Sequence, residues 1–185
     1  MTENAMRWIT SEGGPLLLLD ERSLNEWGGV IELLTGPPAS ESWSPGGKPT
    51  DYDRACSVEG YVGLIPVGTQ KAVVLGGEPL RTAWMPGRTM AGGMFVRWFF
   101  GESEVDFLNW ANRVPKDTFR SDGEVAWQRR SLVLFDAAVA GRNVKKRPEE
   151  YLSIEFEPGI YEIKTAVYQP DAQTCMVVHR FEPSS

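Results

Sequence analysis

The apolar positions of this chain fall into short runs, and glycine or proline stands at the ends of most of them. Five Gly-Gly pairs, at 13/14, 28/29, 46/47, 76/77 and 92/93, lie beside or between those runs. Glycine tolerates positive φ because it has no Cβ, so such pairs mark tight reversals between strands. The intervening segments do not resemble one another, which rules out a sequence repeat. Many short strands divided in this way predict a mainly β fold, an α+β variant with antiparallel sheets in a sandwich or partly open barrel.

The strands follow from alternation and from β-branched or aromatic content. In "WITSEGGPLLLLD", residues 8–20, the glycines and proline read as a turn that feeds a buried strand at the four leucines. "VGLIPVG" at 62–68 and "AVVLGG" at 72–77 predict a hairpin, with Pro66 at a bend or an edge because it cannot donate to a ladder. "MFVRWFF" at 94–100 predicts a central strand covered on both faces, and "SLVLFDAAV" at 131–139 a buried one. Residues 152–156, "IYEIKTAVY" and "TCMVVHRF" predict a three-stranded meander.

One segment has helical spacing instead. In "GESEVDFLNWANRVP" the residues Phe107, Leu108, Ala111 and Val114 share a face, Ser103 can cap the start, and Pro115 stops the helix, predicting a principal helix over 103–114. Residues 35–51 are rich in Pro, Gly and Ser and predict a long mobile loop carrying Trp43. At 185 residues, with 42% apolar and 11% aromatic content, the chain is expected to form a single domain over 1–185.

Charge and reactive residues narrow the function. Nineteen basic against 25 acidic side chains give a formal charge of −6, which offers no basic face for nucleic acid and favours a basic partner. The basic knot "RNVKKRP" at 142–148 reads as a solvated loop. No run approaches the roughly 20 apolar residues of a membrane span, and "MTENAMRWIT" lacks a secretory leader pattern, so a soluble cytoplasmic chain is expected. Cys56 and Cys175 belong to no CxxC spacing and read as reduced, buried thiols.

Catalytic and metal chemistry finds little material. Pro15 removes an amide that a phosphate cradle would use, and four leucines follow where a helix with polar ligands would be needed. The single histidine, His179, lies inside a predicted strand, so neither a zinc site nor a Ser-His-Asp arrangement is expected. No metal, no cofactor and no enzymatic activity are therefore expected. "TDYDRAC" at 50–56 packs charge and an aromatic beside a predicted strand start. It reads either as a docking patch or as an ion pair anchoring the loop. Of the tryptophans, Trp98, Trp110 and Trp127 read as core, while Trp43 and Trp84 stand near proline-rich turns as candidate exposed anchors.

Trp8 followed by Gly13-Gly14-Pro15-Leu16, then Trp27-Gly28, then "DYDRAC" and "VVLGGEP", resembles the Immunity protein 21 family of bacterial polymorphic toxin systems, over roughly Arg7 to Tyr168. The resemblance implies an antitoxin-like protein that binds a cognate toxin in the cytoplasm and inhibits it by occlusion. The motif residues Trp8, Gly13, Gly14, Pro15 and Trp27 are expected to serve the fold. The expected partner-binding residues are Trp43, Asp51, Asp53 and Trp84, with Glu102, Glu104 and Asp106 as second choice, facing a basic toxin. The alternatives are a β-sandwich module that binds a small molecule or carbohydrate through exposed tryptophans, and a hydrolase using a carboxylate pair.

Overall fold

The computed structural model describes residues 6–30, 49–87 and 91–184. In chain order its strands are β1 (Trp8–Ile9), β2 (Leu16–Asp20), β3 (Gly63–Val67), β4 (Gln70–Leu75), β5 (Arg81–Pro86), β6 (Gly93–Phe100), β7 (Arg120–Trp127), β8 (Ser131–Asp136), β9 (Tyr151–Glu155), β10 (Gly159–Asp171) and β11 (Thr174–Pro183). Its helices are α1 (Asp51–Cys56), α2 (Glu104–Ala111) and α3 (Gly141–Val144). The strands form two sheets, in the orders β1-β5-β6-β11-β10-β7 and β3-β4-β2-β8-β9. Neither order returns to its first strand, so the mainly β class holds with two open sheets, the constituents of a sandwich, and no closed barrel.

The chain divides into two compact units, each assembled from separate stretches. One takes in the residues up to Thr10, Leu80–Leu132 and Leu152 onward; the other takes in Ser11–Pro79 and Val133–Tyr151.

In the first unit, strand alternation sends Ala83, Val96, Met176 and Val178 to one face of the sheet. Phe107, Ala111 and Val114 of the α2 segment bury that face. The helix begins as its sequence dictates: the Ser103 hydroxyl accepts from the Asp106 amide, and Glu104 and Asp106 occupy the first turn, where the helix dipole favours negative charge. Trp84, Phe95 and Phe181 point to the opposite face and meet Phe156, with ring centroids 4.8 Å apart for Trp84 and Phe95 and 5.0 Å for Trp84 and Phe156. Arg97 and His179 are buried on that same face. The Nδ1 of His179 is 2.8 Å from the Thr165 hydroxyl. Burial first, and the Arg97 charge second, hold the imidazole well below its ordinary pKa, so it is neutral.

In the second unit all five residues of β2 are buried. Leu17 and Leu19 join a core with Trp27, Ala72, Val74, Val133 and Phe135. The turn before β2 depends on two glycines for different reasons. Gly13 holds a φ of 124°, which favours glycine, while a Cβ on Gly14 would stand 2.3 Å from the Tyr52 hydroxyl. Pro15 accepts from the Ala137 amide at 3.0 Å. The Trp27 indole donates to the Ala137 carbonyl at 2.9 Å, and its own carbonyl accepts from Gly141 at 2.9 Å.

Several expectations change. "DYDRAC" forms α1 rather than a strand start, because Thr50 and Asp53 make a reciprocal capping box that satisfies the orphan amides of a helix. The C-terminal meander is not continuous, since β9 ends the second sheet while β10 pairs with β11 and β7 in the first. Pro158 and Gly159 thus serve a change of sheet instead of a hairpin. Cys56 is exposed although Cys175 is buried, and both are free. The basic knot opens as a helical turn at Gly141–Val144, with Lys145, Lys146 and Arg147 exposed beyond it. Trp127 is buried, and Trp98 and Trp110, partly buried, pack against the core of the first unit as expected. Trp43, the 46/47 glycine pair and most of the 35–51 loop lie outside the described residues.

Candidate partner-binding site

The expected partner-binding residues fall in different surroundings. Asp51 and Asp53 lie in the second unit, on α1. Asp51 accepts from the Gly28 amide at 2.7 Å and from Arg54 at 2.9 Å. Arg54 also reaches the Pro66 carbonyl, so this group ties the loop, the helix and β3 together. Asp53 accepts from the Thr50 amide and hydroxyl, each at 2.8 Å, and these bonds hold its carboxyl below the usual range. Beside them Tyr52 is pushed up to about 12, first by burial and then by its hydrogen bond to Cys56. Trp84, expected as an exposed anchor, is instead half-buried in the aromatic cluster of the first unit. Its position in β5 opposite Phe95 turns the indole inward.

Glu102, Glu104 and Asp106 behave differently. They alternate with Ser103 and Val105 at the junction of β6 and α2, directly after Phe99 and Phe100. This junction concentrates exposed apolar side chains: Phe99 is 43% exposed, Phe100 39% and Val105 69%. The two phenyl rings meet edge to face, 6.2 Å apart at 86°. Their exposure has a structural cause. Arg81 opens β5 and pairs with Trp98, so β6 outruns its neighbour by two residues. On the other side the pairing with β11 is irregular between Cys175 and Met176, just where Phe100 arrives.

Next to these residues in the chain, Trp98 and Phe107 belong to a packed aromatic floor. Trp98 and Phe107 stack with centroids 4.4 Å apart and planes 6° from parallel, and Trp8 meets both edge-on at 5.5 and 5.9 Å. The Arg81 guanidinium lies 4.7 Å from the Trp8 ring centre and 5.6 Å from that of Trp98, and reaches Glu104 at 3.5 Å. Gly101 crosses this floor closely, since a Cβ there would stand 3.2 Å from the Trp98 ring. Cation–π contact, stacking and a helix cap therefore fix the backbone that presents Phe99 to Asp106. Alternation alone puts both phenylalanines on covered faces of a central strand, and Val105 carries no signal of its own. The usable signal was the Phe-Phe pair directly before Gly-Glu-Ser-Glu, where a strand stops and a capped helix begins.

Other surface features offer less. An open cleft of about 330 Å³ is lined by Met85, Met94, Asn112, Arg180 and Phe181 among others. Its polar groups are engaged: Arg180 lies 4.0 Å from the centre of the Phe119 ring, and Asn112 donates to the Leu108 carbonyl. Among the described residues no group of three or more His, Cys, Asp or Glu is placed to hold a metal ion. No described helix is long and apolar enough to cross a membrane.

The family model described as Immunity protein 21 matches residues 7–174 of the chain. No curated protein and no solved structure matches it.

Proposed function

Because the chain belongs to the Immunity protein 21 family, we propose that it binds a cognate bacterial toxin in the cytoplasm and neutralises it by covering the toxin's active or substrate-binding site. The family match over residues 7–174 is the observation that carries this reading. Occlusion needs no nucleophile, acid or base on the inhibitor; it needs complementary shape and charge held in place longer than the toxin takes to meet its substrate.

The sequence and the fold supply properties suited to that task. A formal charge of −6 accelerates encounter with a basic partner such as a nuclease, whose own substrate is acidic. Exposed phenyl rings beside carboxylates offer apolar anchors that slow dissociation. Of the expected contact residues, Glu102, Glu104 and Asp106 have surroundings that support this role best. Asp51, Asp53 and Trp84 are each committed to contacts inside their own unit.

The test is co-expression with the toxin encoded beside this chain's gene. Growth is expected to be rescued, and a stable complex is expected on size exclusion. Unrelieved toxicity together with two separately eluting proteins would overturn the reading.

A further inference from the structure

We infer that the corner from Phe99 to Asp106 receives an arginine-bearing segment of the toxin, an assignment that rests on the toxin-binding role proposed above. Large apolar side chains do stand singly on protein surfaces, but here Phe99, Phe100 and Val105 are exposed within seven residues of one another. Three carboxylates share that stretch, Glu102, Glu104 and Asp106. Clustered apolar exposure rimmed by charge is characteristic of recognition sites.

The chemistry of the occupant is set by what the corner presents. Arg81 already shows the arrangement inside the chain, with its guanidinium over the Trp8 and Trp98 rings and against the Glu104 carboxylate. In the same stretch of chain, Phe99 and Phe100 supply exposed ring surface, and Glu102 and Asp106 supply exposed carboxylates. An incoming guanidinium can repeat the same pairing, flat against a ring and hydrogen-bonded to a carboxylate. Arginine suits this better than lysine, because its planar, weakly hydrated head stacks on rings and donates in a fork. A second copy of the chain is disfavoured as occupant, since in a symmetric pair the three carboxylates would face their own copies while Arg81 is already engaged with Glu104. The stacked floor and the Ser103 cap hold the corner in shape before binding, which lowers the ordering cost of association.

The experiment titrates the full chain against the neighbouring toxin, catalytically disabled, and follows both affinity and melting temperature. The double variant Phe99→Ala/Phe100→Ala is expected to bind at least about 30-fold more weakly, the scale of interface anchors, while melting close to the parent. Val105→Asp, on the exposed side of α2, is a second variant should the double one fold poorly, and is also expected to weaken binding. Glu102→Gln/Asp106→Gln is expected to slow association and flatten its dependence on salt. On the toxin side, replacing the contacting arginine with lysine is expected not to preserve affinity.

If the parent binds and both apolar variants bind like it, the corner is wrong while the toxin-binding role stands. If lysine serves as well as arginine, the stated occupant is wrong. A parent dimer in sedimentation that the double variant dissolves would make the corner a self-interface and overturn the assignment. A parent that forms no complex with the toxin removes the functional reading itself.

Discussion

β2 and the end of β6 are both unbroken apolar runs, four leucines in one and Trp-Phe-Phe in the other, yet they finish in opposite environments. Every residue of β2 is buried, and the strand stands between β4 and β8 in its sheet. β6 is buried from Phe95 through Arg97, then outruns β5 and meets an irregular stretch of β11, leaving Phe99 and Phe100 at the surface. The difference comes from neighbouring strand lengths rather than from hydrophobicity. An apolar run belongs to the core only as far as its neighbours continue beside it, and an overrun leaves the same side chains at the surface.

Substitutions can separate these two roles, beginning with the largest effect. Leu17→Ala removes a wholly buried side chain from the core it shares with Trp27 and Phe135. It should destabilise the protein by about 2–5 kcal/mol in denaturant titration while leaving the affinity of the folded fraction for toxin unchanged. Loss of binding beyond the unfolded fraction would give β2 a direct part in recognition. At the β6 end the effect should reverse: Phe99→Ala/Phe100→Ala should cost about 2 kcal/mol or more of binding but under about 1 kcal/mol of stability.

A pH titration tests the buried polar part of β6's sheet. His179 has a folded pKa well below 6.5, so between those values the unfolded chain takes up a proton that the native chain does not. Stability should be full above pH 6.5 and fall as the pH drops, by up to about 1.4 kcal/mol per pH unit. His179→Gln should flatten that slope above about pH 5, where the depressed carboxyls of Asp53 and Glu162 do not yet titrate. A slope unchanged by the substitution would place the linked proton elsewhere. The smallest effect belongs to the loop end. Thr50→Ala removes half of the α1 capping box and should cost about 1 kcal/mol by chemical denaturation, with toxin affinity unaltered if Asp51 and Asp53 serve the fold.

The same comparison explains how far the sequence could be read. The Gly-Gly-Pro reversal into Leu16, the 62–77 hairpin with Pro66 on edge strand β3, and the Ser103-capped helix were all legible, because turn chemistry, alternation and capping are local. "DYDRAC" resembles a strand start because its charges hide a capping box, in which Thr50 and Asp53 satisfy each other's backbone amides at a spacing of three. The change of sheet at Pro158-Gly159 was not legible, since a Pro-Gly turn looks the same whether the next strand pairs back or leaves. For the candidate site, the acidic residues at 102, 104 and 106 stood out by their charge. Phe99 and Phe100 did not, because their exposure depends on where β5 begins, a fact written some twenty residues away at Arg81.

Amide hydrogen exchange, run with and without the neighbouring toxin, is the sharpest probe of whether Phe99–Asp106 is the contact. Exchange is expected to slow across Phe99–Asp106 when toxin is added, while Leu16–Asp20 exchanges as slowly with toxin as without it. A complex that protects other surfaces and leaves Phe99–Asp106 at its free rate would contradict it.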